Sequence, residues 1–85
     1  MQLIHMQVYS KDSSAPRGVS VWVETRDPAQ ARQIATQALA TEGWTLTQID
    51  SNTETTADDY FRPCPSQQAF LRAQTAGVSW RFDDE

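Results

Sequence analysis

The sequence has few of the residues from which catalytic and metal-binding sites are usually built. Its 85 residues include one cysteine, one histidine and three glycines. A single cysteine excludes an internal disulfide and a zinc site made of several cysteines. Gly18, Gly43 and Gly77 each stand at a predicted turn or helix end, which leaves none for a phosphate-binding loop or a dinucleotide fingerprint. We therefore expect no enzyme activity, no cofactor and no bound metal.

Long hydrophobic runs are missing as well, since the apolar stretches extend over only two or three residues. Such stretches are far too short for a transmembrane helix, which needs about 20 apolar residues. The first ten residues lack the basic start and the apolar run of a signal peptide. Together with the unpaired Cys64, these features predict a soluble, cytoplasmic protein with no membrane contact.

Basic residues are scarce, and the excess of negative charge lies in the C-terminal part of the sequence. Seven Lys and Arg residues stand against eleven Asp and Glu residues, which gives a net charge of −4. Residues 1–49 contain four basic and four acidic residues, whereas residues 50–85 contain three basic and seven acidic ones. Nucleic-acid-binding proteins normally carry a basic surplus. We therefore expect no nucleic-acid partner.

The first half of the sequence predicts two strands and a helix. Apolar and polar residues alternate over Gln2 to Ser10 and again over Gly18 to Glu24, with a polar, proline-containing loop between them. A helix follows, because Asp27 can cap the free amides of its first turn and Pro28 suits the first helical position. An apolar stripe at spacings of three and four continues to a glycine terminator at Gly43.

The second half predicts a strand, a long loop, a second helix and a last strand. Alternation resumes over Trp44–Asp50 but slips before Ile49, which predicts a bulge or an early strand end near Thr47–Gln48. Residues 51–65 are polar and are expected to form mainly a loop. Ser66 is the expected cap of a helix that runs to Ala76. Three of its residues are expected to face inward, namely Phe70, Leu71 and Ala73. Val78, Trp80 and Phe82 then alternate in a short strand.

These elements predict one α+β domain over residues 1–82, followed by an acidic tail at 83–85. The order is β-β-α-β-α-β, with three or four strands in one mostly antiparallel sheet. The preference for right-handed crossovers places the second and third strands parallel, with the first between them. We expect both helices to cover a single face of the sheet, in an architecture related to a permuted ferredoxin-like fold. An architecture of this kind carries no function by itself.

An open sheet face is the first candidate site, because helices on one face leave the other in solvent. The residues that it would present are Leu3, His5, Tyr9 and Trp22. Exposed aromatic residues mark recognition surfaces, since Trp and Tyr dominate interface hot spots. The alternative is that the long loop covers Trp22, with Tyr60 and Phe61 closing a small cluster over it.

The loop and its end are the second candidate site. The residues in question are Asp58, Asp59, Tyr60, Phe61 and Cys64. The two aspartates could attract a hard cation, but the segment lacks the spacing and the glycine of a calcium loop, so a solvated acidic loop is the favoured interpretation. Cys64 lies between two prolines and next to Arg62, whose charge favours a thiolate. Without a C-x-x-C pair, a structural role is favoured for this cysteine.

Three functions remain open at this point. The first is a small protein-interaction module, expected to form homodimers, that uses the open sheet face or a strand edge. The alternative is a small acidic inhibitor of bacterial or phage type that binds a basic target such as a nuclease, because segregated negative charge steers association. The third is a thiol-dependent enzyme or sensor in which Cys64, His5 and the loop converge.

Overall fold

The computed structural model describes residues 1–10, 15–60 and 64–83, and of Asp58 it describes the backbone alone. The strands are β1 (Gln2–Ser10), β2 (Arg17–Val23), β3 (Trp44–Glu54) and β4 (Val78–Phe82). The helices are α1 (Pro28–Thr41) and α2 (Pro65–Ala76), and a short 3₁₀ turn spans Ala57–Asp59. The predicted order β-β-α-β-α-β and the α+β class are confirmed.

The four strands form one antiparallel sheet in the order β3-β1-β2-β4. Strands β2 and β3 both run antiparallel to β1, so they are parallel to each other with β1 between them, as the sequence predicted. The connection from β2 to β3 passes through α1. Strand β4 pairs with β2 and forms the edge opposite to β3. The chain thus leaves its last strand at one border of the sheet.

Helix α1 begins and ends where the sequence signals place it. The Asp27 carboxylate accepts hydrogen bonds from the backbone N–H of Ala29 (3.0 Å) and of Gln30 (3.4 Å), which satisfies two of the free amides of the first turn. Pro28 occupies the first helical position. Gly43 follows the C-cap with a φ of +89°, a conformation that costs other residues free energy.

One face of the sheet packs against α1 and forms the main hydrophobic core. Alternate residues of β1 and β2 point to this face and are almost fully buried: Ile4, Met6, Val8, Val19, Val21 and Val23. Ala31, Ala35 and Leu39, at spacings of four, form the buried stripe of the helix. Phe82 closes this core at the β4 side. The period-two and period-3.6 patterns of the sequence account for this layer.

The second helix packs on the opposite face, which differs from the expectation that both helices share one face. Trp22 on β2 forms a second cluster with Ala69, Phe70 and Ala73 of α2. Strand β2 is buried on both faces from Val19 to Val23, so it needs a cover on each side. The small alanine side chains allow the helix to approach the indole closely. The ferredoxin-like comparison fails for this reason, because that architecture keeps its helices on one side.

Strand β3 is longer and more irregular than the sequence indicated. It extends to Glu54 rather than ending at Asp50, so the first part of the expected loop is strand. Its register against β1 shifts twice, and the shifts leave Thr47 and Asp50 without a direct partner on β1. Of the two alternatives predicted near Thr47–Gln48, the bulge is present and the early strand end is not, and a second bulge lies three residues further on. Bulges of this kind twist and bend an edge strand.

Helix α2 starts one residue before Ser66, the expected cap. The residue at the N-cap is Cys64, whose sulfur accepts a hydrogen bond from the backbone N–H of Gln67 at 3.4 Å. Pro65 takes the first helical position. Leu71, expected to face inward, is 52% exposed, because the buried stripe of this helix consists of Ala69, Phe70 and Ala73. Across the described residues, neither helix has the length and apolar content to cross a membrane.

Candidate functional site

Trp22 does not form part of an exposed recognition face. Its side chain is 2% exposed, and its indole N–H donates a hydrogen bond to the Tyr60 hydroxyl at 2.8 Å. The two rings meet edge to face, with centroids 6.4 Å apart. Leu3 is half-buried against the same cluster. The interaction face predicted from the sequence is therefore wrong for these two residues, because α2 and Tyr60 cover them.

The alternative interpretation, in which loop residues cover Trp22, is correct for Tyr60. The aromatic ring of Tyr60 stacks at a tilt on Phe70 of α2, with centroids 4.9 Å apart. Phe61, the second loop residue expected there, lies outside the described residues. The principal cover is α2 itself, which the sequence pattern did not place on this face. Trp22 therefore belongs to the second hydrophobic cluster.

A chain of hydrogen bonds leads from Trp22 to the segment before α2. The hydroxyls of Tyr60 and Thr55 lie 3.1 Å apart, and the Thr55 hydroxyl donates to the Asp59 carboxylate at 2.6 Å. The single proton of Thr55 serves Asp59, so the contact with Tyr60 uses the proton of the tyrosine hydroxyl. Thr55 is almost fully buried. This network fixes the turn that carries the tyrosine.

Asp59 is the last residue of this hydrogen-bonded network and has a structural role in the turn. Its carboxylate accepts from the Thr55 hydroxyl and from the backbone N–H of Thr56 at 3.1 Å. These two hydrogen bonds, that of Thr55 first, lower the pKa of Asp59 because they favour the ionised carboxylate. Among the described residues no group of three His, Cys, Asp or Glu side chains could hold a metal ion. Asp59 is therefore part of no such group, and the side chain of Asp58 lies outside the described part of the chain.

The half of the second face that α2 leaves open is polar. His5 and Tyr9 lie there and are exposed, as predicted. The His5 Nδ1 atom lies 2.9 Å from the Ser20 hydroxyl, which also contacts the Asp83 carboxylate at 3.4 Å. Serine stands between histidine and aspartate here, whereas in an acyl-transfer triad the histidine stands in the middle. The arrangement orders polar side chains on the sheet without forming that constellation.

The thiol and the histidine make separate contacts in the described structure. Cys64 is exposed at the start of α2, where its sulfur caps the helix. His5 lies in the middle of β1 and bonds to Ser20. Within the described parts of the chain, no hydrogen bond links the two side chains. The described residues therefore give no support to the convergence that the enzyme or sensor hypothesis requires.

Strand β4 offers a different site, which the sequence did not suggest. The Glu24 N–H donates to Gly77 O, and the Asp83 N–H donates to Gly18 O, both at 2.9 Å. Hydrogen-bonded positions alternate along an antiparallel pair, so residues 77, 79, 81 and 83 direct their backbone groups toward β2. The N–H and C=O groups of Val78, Trp80 and Phe82 therefore point outward. Within residues 1–10, 15–60 and 64–83 no backbone group pairs with them, so in this part of the chain they form a free edge.

A groove runs along this edge, between β4 and α2, with a volume of about 710 Å³. The residues that line it are Leu71, Arg72, Thr75, Ala76, Val78, Ser79 and Trp80. Leu71 is one of the two large hydrophobic residues that the described chain exposes, and the indole of Trp80 is half-buried. Leu71 lies directly beside Phe70 in sequence, about 100° around the helix, so it falls off the buried stripe. That offset is the one sequence signal that could have revealed the groove.

The other sheet edge, β3, is less suited to accept a strand. Its exposed residues are all polar or charged, and it contains both bulges. Bulges and polar residues on an edge strand oppose pairing with a second strand. Strand β4 is short, but its register against β2 is regular over all five residues. The free edge of β4 is therefore the better candidate for an interaction surface.

Comparison with protein families, with curated proteins and with solved structures gives no match. Function is therefore inferred from the geometry of the chain.

Proposed function

We propose that this protein is a protein-interaction module that binds an extended segment of a protein partner along the free edge of β4. The observation that carries the proposal is the coincidence of outward backbone groups with the groove beside them. The backbone of Val78, Trp80 and Phe82 supplies hydrogen-bonding groups for an added strand. Leu71 on the α2 face and the Trp80 indole on the α1 face supply apolar surface on the two sides of such a strand.

Strand addition divides affinity and specificity between backbone and side chains. Main-chain hydrogen bonds hold any extended segment, while alternate side chains of that segment enter neighbouring pockets. In this protein the side chains of alternate bound residues would meet the groove between α2 and β4. Tryptophan, the residue type of Trp80, is among the most enriched at interface hot spots. We therefore expect its indole to account for much of the affinity.

The charge of the groove indicates what kind of segment fits. Arg72 is the one charged residue among those that line it, and in the described part of the chain it forms no ion pair. The whole chain carries a net charge of −4, whereas the groove carries the positive charge of Arg72. A segment with alternating apolar residues and an acidic residue complements this groove. The alternative function, an acidic inhibitor of a basic target, would depend on the negative charge of residues 50–85 and not on this groove.

A library of linear random peptides provides the probe for a first test. We expect the wild-type protein to select peptides with alternating apolar residues, and Leu71→Lys to reduce their binding at least tenfold. Gln74→Lys is the matched control, because it introduces the same charge at an exposed position of α2 outside the groove. Both variants should unfold at the same temperature as the wild type.

A second pair of variants isolates the backbone contribution. Trp80→Pro and Trp80→Val both lose the indole, but only proline also removes the outward N–H. That N–H makes no bond to β2, so proline is compatible with this edge position. We expect weaker peptide binding by the proline variant than by the valine variant. Equal binding by these two variants, or selection of peptides that Leu71→Lys still binds, would exclude strand addition at β4.

A further inference from the structure

We infer that the partner at the free edge of β4 is a second copy of this chain, and that two β4 strands pair antiparallel about a two-fold axis at Trp80. The inference rests on the proposed function and names its partner. An antiparallel edge is self-complementary, because the same outward groups meet in both directions. An axis at Trp80 aligns residue 78 of one copy with residue 82 of the other.

This register brings together all the outward backbone groups of β4. The residues that point away from β2 are Val78, Trp80 and Phe82, which lie symmetrically about the axis. Trp80 then faces Trp80 of the second copy as a hydrogen-bonded pair, and Val78 faces Phe82 in both directions. The side chains of these residues lie on the α1 face of the sheet, since Val78, Trp80 and Phe82 contact the main core. The result is a continuous sheet of eight strands.

The neighbouring helix supports the same axis. Gly77 reverses the chain between α2 and β4, with a φ of +92°. Trp80 lies three residues after Gly77, about 10 Å along the strand, and Leu71 lies six residues before it, about 9 Å along the helix. Leu71 is therefore level with Trp80, which agrees with their shared groove. The exposed leucine of each copy thus comes close to the axis.

Charges of both signs meet on the α2 face in this register. Residue 83 of one copy lies opposite residue 77 of the other, on the α2 face of the sheet. Asp83, whose carboxylate also contacts Ser20 of its own chain, and Arg81, which lies opposite residue 79, are thereby brought to the same face as Arg72 of the other copy. Beyond these contacts the two copies repel, because each carries a charge of −4. At physiological ionic strength the screening length is about 8 Å, so the short contacts survive while the long-range repulsion is reduced.

The size of the contact indicates a weak dimer. One five-residue strand per copy, with one leucine and one tryptophan, forms an interface at the small end of the range for specific complexes. We therefore expect a dissociation constant in the micromolar range, and a monomer–dimer equilibrium that dilution shifts.

Sedimentation equilibrium from about 1 μM to about 1 mM, in about 0.15 M salt, tests the association. We expect dimers at the upper end for the wild type and for Gln74→Lys. Leu71→Lys should weaken association at least tenfold, and Trp80→Pro should weaken it more than Trp80→Val. A dimer that all these variants retain would overturn the inference, because it would use another surface.

Cross-linking tests the position of the axis. Cys64→Ser removes the native thiol and keeps a side chain that caps helices well. In that background Leu71→Cys should form an intermolecular disulfide when diamide takes up two electrons and two protons from the paired thiols. Gln74→Cys, on the same helix outside the groove, should cross-link at least tenfold more slowly. Equal rates would overturn the register.

The outcomes separate this inference from the proposed function. A protein that stays monomeric up to about 1 mM overturns the second copy as partner. If the peptide selection then still yields peptides whose binding depends on Leu71 and on the Trp80 N–H, the edge remains a binding site for a different protein. If the selection fails as well, both proposals fall.

Discussion

Replacement of Tyr60 by phenylalanine removes one oxygen atom and leaves the Trp22 indole N–H without its acceptor. The hydrogen bond is 2.8 Å long, and the tryptophan is 2% exposed. A buried donor left without a partner costs about 1–3 kcal/mol. Tyr60 is half-buried, so water can partly replace the lost oxygen, and we expect about 1–2 kcal/mol. In a domain of this size each kcal/mol lowers the melting temperature by about 4–8 °C.

Urea denaturation followed by far-ultraviolet circular dichroism measures this loss, with Tyr9→Phe as the matched control. Tyr9 is 39% exposed on the open half of the sheet, so the same change there should cost less than about 0.5 kcal/mol. In a Trp22→Phe background, which has no indole N–H, Tyr60→Phe should cost less than in the wild type. If Tyr60→Phe destabilises the protein no more than Tyr9→Phe, the hydrogen bond between Trp22 and Tyr60 does not stabilise the second hydrophobic cluster.

Three further changes test other parts of the fold. Because hydrogen bonds lower the pKa of Asp59, the unfolded state binds more protons in acid, so this carboxylate stabilises the fold above its ordinary pKa of about 3.8 and the contribution is lost as the pH falls below it. Thermal unfolding of Asp59→Asn should therefore depend less on pH than that of the wild type in this window. Asp27→Ala removes the cap of α1 and should cost about 0.5–2 kcal/mol in urea denaturation, whereas Asp27→Asn should cost less. Gly43→Ala should cost about 1 kcal/mol by the same measurement, because its φ is +89°, and an unchanged midpoint would contradict the assigned helix end.

The first half of the fold follows closely from local sequence signals. Strands β1 and β2 and helix α1 obey the simple periods, and Asp27, Pro28 and Gly43 mark the ends of the helix. The second half does not follow as well, because its signals are weaker or compete. Cys64 caps α2 in place of Ser66, since Pro65 already fits the first helical position. The extension of β3 to Glu54 depends on pairing with β1, which polar residues do not reveal by alternation.

The candidate site was the hardest part to predict. Trp22 alternates with valines in β2, and this pattern is the same for a solvent-exposed face and for a face that a second helix covers. The difference depends on α2, which is more than 40 residues away in sequence. The exposure of Leu71 could be predicted only if the buried stripe of α2 were already known to be Ala69, Phe70 and Ala73.

The sequence by itself determined the element order, the antiparallel hairpin and the α1 core, because periodicity, caps and glycines act over a few neighbouring residues. Only the tertiary structure decided that α2 lies on the opposite face and that β4 ends the sheet with a free edge. Those features arise from contacts between distant residues, such as Trp22 with Phe70 and Tyr60. A local pattern shows that a side chain is apolar, and packing decides which element covers it.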